Sequence, residues 1–254
     1  MYVYAVNCVY SCIVLYVPYL FVILCIQILA ICAVDDAIEF GGALSHKYIQ
    51  QLLPLFLNNM KAEDNVLRQC SIYGIAQSLR FAPDICLPLI PTLVPALMAF
   101  VALPNSRDED NEGATENAVY ALGTIYHNRK YREASSWGGY DAPSIAALWL
   151  QNLPLRADEA EAKVAHNQLC DYIESGDKAI LGDNYSNLGQ LLRIIADVFI
   201  DMPSSSLAHS STITRMRTII QQIIGPEAGL KPDFPAFALK NLTSVQQQVL
   251  TAVL

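Results

Sequence analysis

Apolar positions along this chain recur at intervals of three and four residues, and short polar turns containing Gly or Pro separate the runs they form. The stretch from Trp149 to Glu174 shows the pattern most fully. Leu150 and Leu153 close one helix, and Pro154 stops it, because proline lacks the N–H and clashes with the preceding turn. Asp158 then reads as an N-cap, with Glu159 and Glu161 in a first turn whose unpaired N–H groups favour negative charge. Ala162, Ala165, Leu169, Tyr172 and Ile173 form the apolar face and leave Lys163, Asn167 and Asp171 on the others. Two antiparallel helices joined by a tight turn cannot bury both apolar faces alone, so this pair needs neighbours of the same kind.

The remaining segments supply them. Residues 35–40 end a helix at Gly41-Gly42, and Ser45 is placed to cap the next, which runs through Leu52, Leu53 and Phe56 with Pro54 inside it. Asp64 caps a third, whose apolar positions are Val66, Leu67, Cys70, Tyr73, Ile75 and Leu79. Residues 84–103 are apolar and cut by Pro88, Pro91 and Pro95, which favours a buried, kinked helix over a membrane span. Residues 105–113 read as a charged loop, 114–127 as an amphipathic helix and 128–143 as a second loop around Trp137-Gly138-Gly139. After the opening pair come a turn over 175–187, an apolar helix over 188–202, a helix ending near Ile224, a Gly/Pro-rich connection over 225–235 and a last helix over 242–254. No segment sustains strand alternation, so the fold class is all-α.

Residues 70–76, C-S-I-Y-G-I-A, align with residues 117–123, N-A-V-Y-A-L-G, at an offset of 47. Both read small, β-branched, Tyr, small, aliphatic, small. A period of about 40–47 residues with two helices per unit is the mark of HEAT or armadillo repeats.

The head is different. Residues 1–34 contain no Asp, Glu, Lys or Arg, and residues 35–254 read as the repeat solenoid. The head is long enough to cross a bilayer, which takes about 20 helical residues. Its flanks argue against that role: no Lys or Arg precedes it, and Asp35, Asp36 and Glu39 follow at once. Three readings stay open: a transmembrane anchor, a buried solenoid helix, or a start that is not native to the gene.

Charge narrows the partners. The chain has 254 residues and a formal net charge of −8, all of it from Asp35 onward, which makes nucleic acid an unsuitable partner and a basic protein a suitable one. Seven cysteines without a C-x-x-C pair imply free thiols in a reducing compartment. His46, His127, His166 and His209 are scattered, and no metal, nucleotide or nucleophile signature occurs, so neither an enzyme nor a cofactor or metal site is expected. Asn184-Tyr185-Ser186 and Asn241-Leu242-Thr243 fit the glycosylation acceptor pattern, which matters only if the head directs the chain into the secretory route.

The ordered blocks 32–40, 68–74, 114–125, 149–174, 181–188 and 242–250, the last with its Gln246-Gln247-Gln248 run, resemble the importin-beta (karyopherin-beta) family of nuclear transport receptors. The likeness is to the carboxy-terminal region of the importin beta-3 branch, and it covers about residues 32–254. The resemblance implies a HEAT solenoid fragment that carries basic cargo with nuclear localisation signals on its concave face, in cytoplasm and nucleus and at the nuclear pore. It leaves nucleoporins open as partners. Ran binding is not expected, because the amino-terminal repeats that hold this GTPase in the family have no counterpart here. Second helices of the repeats line the inner face in this family, which implies Asp64 and Arg68 in one repeat, Glu116 and Asn117 in the next, and Asp158, Glu159 and Glu161 in a third as cargo-contacting residues. The alternative is a membrane-anchored helical scaffold, with the membrane as partner only if residues 1–34 are a genuine anchor.

Overall fold

A computed structural model describes residues 22–133, 136–202, 204–225 and 239–253. Most of the apolar head, residues 1–21, and most of the Gly/Pro-rich connection lie outside them. The fold is all-α and HEAT/armadillo-like. Among the described residues the single β feature is an isolated bridge between Trp137 and Tyr140. The chain divides into two compact units, Met1–Cys86 and Leu87–Leu254.

In the first unit, residues 22–40 form α1, followed by α2 (Ala43–His46), α3 (Ile49–Asn59), α4 (Asn65–Phe81) and α5 (Pro83–Cys86). Helix α1 stops before Gly42, whose φ of 55° suits a residue without a Cβ. Ser45 falls inside α2 instead of capping the following helix, and α3 begins after Tyr48 with no side-chain cap. Ile49, Leu53 and Phe56, spaced by four and three, form the buried face of α3. Asp64 caps α4 as its position implies, accepting the Leu67 N–H at 2.9 Å. Gly74 brings the α4 backbone against Phe56 and Asp35, where a Cβ would overlap both side chains.

The second unit opens with a 3₁₀ turn (Leu87–Leu89) and α6 (Ile90–Val101). Pro91 sits in the first turn of α6, where no N–H is needed, and Pro95 lies within it. Together they shape a notch: Gly138 packs on the Pro91 carbonyl and the Pro95 ring with no room for a Cβ. The Trp137 indole anchors the same loop by donating to the Tyr131 carbonyl at 2.7 Å.

Helix α7 (Glu109–His127) begins five residues before the expected start at Ala114. Its first turn holds Glu109, Asp110 and Glu112, acids that favour the positive end of a helix, so the charged stretch belongs to the helix and not to a loop. Nor is α7 amphipathic, because residues 114–126 are all buried. Gly123 has no room for a Cβ, which would collide with the Trp149 indole. The unit continues through α8 (Arg129–Arg132), α9 (Ala142–Gln151), α10 (Glu159–Ser175), α11 (Lys178–Leu181), a 3₁₀ turn (Asp183–Tyr185), α12 (Leu188–Asp201), α13 (Ser210–Ile224) and α14 (Ser244–Val253). Helix α10 ends at Gly176 in the left-handed region (φ 72°), with the Asp177 N–H returning to the Tyr172 carbonyl.

Helices α7, α10 and α13 lie side by side, while α6 and α9 pack on α7, and α12 packs on α14. The α7–α10–α13 layer is parallel. Glu116, near the middle of α7, reaches the segment before α10, and at the carboxy end of α7 His127 meets Tyr172 late in α10. Glu159 with Ser206, then Glu174 with Arg215, run in the same direction between α10 and α13.

Candidate functional site

The seven residues expected to face cargo fall into two sorts. Asp64 and Arg68 belong to the first unit, half-buried at the start of α4. Asp64 is occupied as a cap, and the Arg68 guanidinium donates to the carbonyls of Ala62 and Glu63 at 2.8 and 2.7 Å, closing the turn before its own helix. In the second unit Asp158 is half-buried and accepts the N–H groups of Ala160 and Glu161 at 2.7 and 3.0 Å. Glu159 is exposed. It accepts the Ser206 N–H at 2.9 Å and pairs with Lys163 at 3.4 Å, and the Ser206 bond, followed by Lys163, holds its carboxyl below the usual range.

Glu116, Asn117 and Glu161 are only 2%, 4% and 3% exposed. Their expected place on a cargo-facing surface is therefore corrected: they lie inside. The physical reason is that α7 is covered by α6, α9 and α10, and α10 by α7 and α13, so positions that would be solvated on a free helix are enclosed.

What Glu116 does there is clear. One carboxylate oxygen accepts the backbone N–H groups of Arg156 and Ala157 at 2.6 and 2.7 Å, and the other faces the Arg107 guanidinium at 3.6 Å. Burial raises its pKa against the three opposing donors.

A set of polar contacts unforeseen from the sequence joins successive helix pairs. Arg107, just ahead of α7, donates to the Asn152 side chain at 2.6 Å, at the end of α9. Arg156, just ahead of α10, donates to Asp201 at 2.7 Å, at the end of α12. Both pairs are separated by 45 residues, and the second repeats the first at an offset of 49, since Arg107 becomes Arg156 and Asn152 becomes Asp201. Arg193 and Gln190 of α12 reach the carbonyls of Leu153 and Leu150, each 40 residues earlier. Gln246 of α14 donates to Asp197 of α12 at 2.7 Å. Arg215 of α13 binds Asp171, Glu174 and Asn167 of α10, each at 2.7 Å. The readable signal was the recurrence of Arg at 107 and 156 in step with the helix starts.

His166 is fully enclosed, with Nδ1 at 2.8 Å from the Leu207 carbonyl, and burial pushes its pKa down to about 4. The ring is therefore neutral and donates from Nδ1. Among the described residues no group of three His, Cys, Asp or Glu side chains is placed to hold a metal ion. The second unit thus presents helix pairs joined by polar contacts between residues 40–50 apart, with exposed acids in the first turns of α7 and α10.

This chain is similar to importin subunit beta-3 of Saccharomyces cerevisiae. The two are 23% identical over 218 residues, which is 84% of this chain and 18% of the relative. The chain therefore spans less than a fifth of the relative's length. No protein-family model matches. The similarity suggests the importin-beta family and agrees with the helix-pair stack.

Proposed function

We propose that this chain works as part of a nuclear import receptor, binding basic protein cargo through the solvent-reaching acids at the starts of its helices, and moving between cytoplasm and nucleus. The observation that carries this reading is the similarity to importin subunit beta-3 along 84% of the chain. The sign of the chain's charge, −8, supports it. Asp64, Arg68, Asp158 and Glu159 are the members of the expected set that reach solvent, joined by Glu109, Asp110 and Glu112 at the amino end of α7. Nucleoporins are further partners in this reading.

The test is fluorescence anisotropy of a labelled Lys/Arg-rich peptide across a salt series. Exposed ion pairs are worth about 0.2–1 kcal/mol each, so binding should be weak, distributed and lost as salt rises. Equal binding of an acidic peptide, or affinity indifferent to salt, rejects the reading.

A second reading, a membrane-anchored helical scaffold, draws on one observation. Val22, Ile26, Leu29 and Phe40 of α1 lie on one helical stripe and are 52%, 60%, 69% and 78% exposed. Flotation of the chain with lipid vesicles, abolished by removing residues 1–34, would favour it over the transport reading.

A further inference from the structure

We propose that Cys32 and Cys70 are an oxidation-responsive thiol pair whose disulfide staples α1 to α4. The two sulfurs are 3.6 Å apart, across the joint between helices 38 residues apart in sequence. A disulfide needs about 2.05 Å between sulfurs, so the pair must close by a further ~1.5 Å to bond.

The two thiols are not equivalent. Cys32 is exposed, while Cys70 is half-buried. Burial, and then Cys32 itself, push the Cys70 thiol up to about 12. Cys32 is therefore the thiol that meets an oxidant from solution, and Cys70 the resolving partner held against it. The other described thiol of α1, Cys25, is two turns away on the same helix, and Cys86 is buried.

With hydrogen peroxide as oxidant, the Cys32 thiolate attacks one peroxide oxygen and the O–O bond breaks. A sulfenic acid forms, and hydroxide leaves and takes up a proton to become water. The Cys70 sulfur then attacks the Cys32 sulfur. The S–O bond breaks as the S–S bond forms, and the departing hydroxide combines with the Cys70 proton as a second water. The two thiols lose two electrons and the peroxide gains them. A dithiol reductant reverses the step. In a reducing compartment the pair rests as thiols, so the staple forms only under oxidative load.

The joint it closes is the one where the α1 face opposite the apolar stripe meets α4. Tyr73 of α4 donates to Glu39 of α1 at 3.3 Å, and Asp35 lies over Gly74. Oxidation fixes these contacts covalently.

The experiment uses the full chain, purified with reductant and then freed of it. It is treated with hydrogen peroxide, its remaining thiols are alkylated, and it is mapped without reduction. The expected result is a Cys32–Cys70 linked peptide that dithiothreitol removes, with amide exchange over residues 22–40 slowed in the oxidised form. Cys32→Ser and Cys70→Ser should each abolish the linked peptide. Recovery of both thiols as alkylated after treatment overturns the proposal. So does Cys32 found as sulfinic acid, linked to Cys25, or linked between chains. The unsubstituted map decides the matter even if a variant fails to fold.

Discussion

A single carboxylate oxygen of Glu116 accepts two consecutive backbone N–H groups, those of Arg156 and Ala157, 40 and 41 residues further along the chain. This fastens the link between α9 and α10 onto the middle of α7. Backbone donors there have no helix to satisfy them, and a hydrogen bond to a charged group contributes about 1.5–3 kcal/mol. Glu116→Ala should therefore lower the unfolding free energy by about 1–3 kcal/mol, with Glu116→Gln losing less because its amide oxygen still accepts. Urea unfolding followed by circular dichroism checks this, and an unchanged midpoint for Glu116→Ala would remove the carboxylate from the account.

Arg156 continues the same seam outward to Asp201. Its side chain and that of Asp201 are 47% and 28% exposed, so solvent screens the pair. A double-mutant cycle with Arg156→Ala and Asp201→Ala should give a coupling of about 0.2–1 kcal/mol. The larger effect should be local, as faster amide exchange at the carboxy-terminal end of α12. Coupling well above that range would mean that the seam, not the apolar core, holds these repeats together.

Gly123 tests the packing beneath the seam. Its missing side chain makes room for the Trp149 indole between α7 and α9. Gly123→Ala inserts a methyl into that contact and should cost about 1–3 kcal/mol. Trp149→Phe, which shortens the ring system, should recover part of the loss when combined with it. Thermal unfolding of both single variants and the pair measures this, and full additivity would contradict the contact.

Asp35 gives the first unit a pH dependence. It is 4% exposed, and burial, followed by the neighbouring Asp36 charge, raises its pKa to about 8 from an ordinary 3.8. The folded state therefore keeps a proton that the unfolded state releases. The Asp35 contribution to stability is fully present below about pH 4 and is lost as pH rises through 8. Asp35→Asn, which removes the titration, should flatten that loss and leave α1 more protected from exchange than the unsubstituted chain at pH 9. Identical protection at both ends of the range would show that the carboxyl is already solvated.

The helix-pair architecture was legible because it rests on local rules: Asp64 and Asp158 cap the helices that their positions imply, and the helix after Asp158 stops at the turn expected from residue 175. Helix α7 was misjudged where two rules compete. Its acidic start looks like solvated loop, yet the same charges favour a helix amino end. The burial of Glu116 and Glu161 could not be read from spacing, because it depends on which neighbours cover a helix and not on the helix itself. The contacts at separations of 40–51 residues belong to the same class of information.

That division decides how the cargo surface should be probed. Reversing Asp158, Glu159 and Glu161 together would mix two effects. Glu161 is 3% exposed, and a lysine there buries an unpaired charge, which unfolds the helix start whatever the surface does. Asp158 caps α10, and its loss alone costs about 1 kcal/mol. Glu159 is the clean position: exposed, and paired only with Lys163 and one backbone N–H. Glu159→Lys should leave the circular dichroism spectrum unchanged and weaken a basic peptide by about 2- to 5-fold at low salt, the effect of a single exposed charge. Adding Glu109→Lys and Asp110→Lys should weaken it further, because these two acids are also exposed, on the first turn of α7. Anisotropy at two salt concentrations separates the outcomes. If Glu159→Lys binds the peptide as well as the unsubstituted chain, and the α7 reversals add nothing, the acidic edge is not where basic cargo docks.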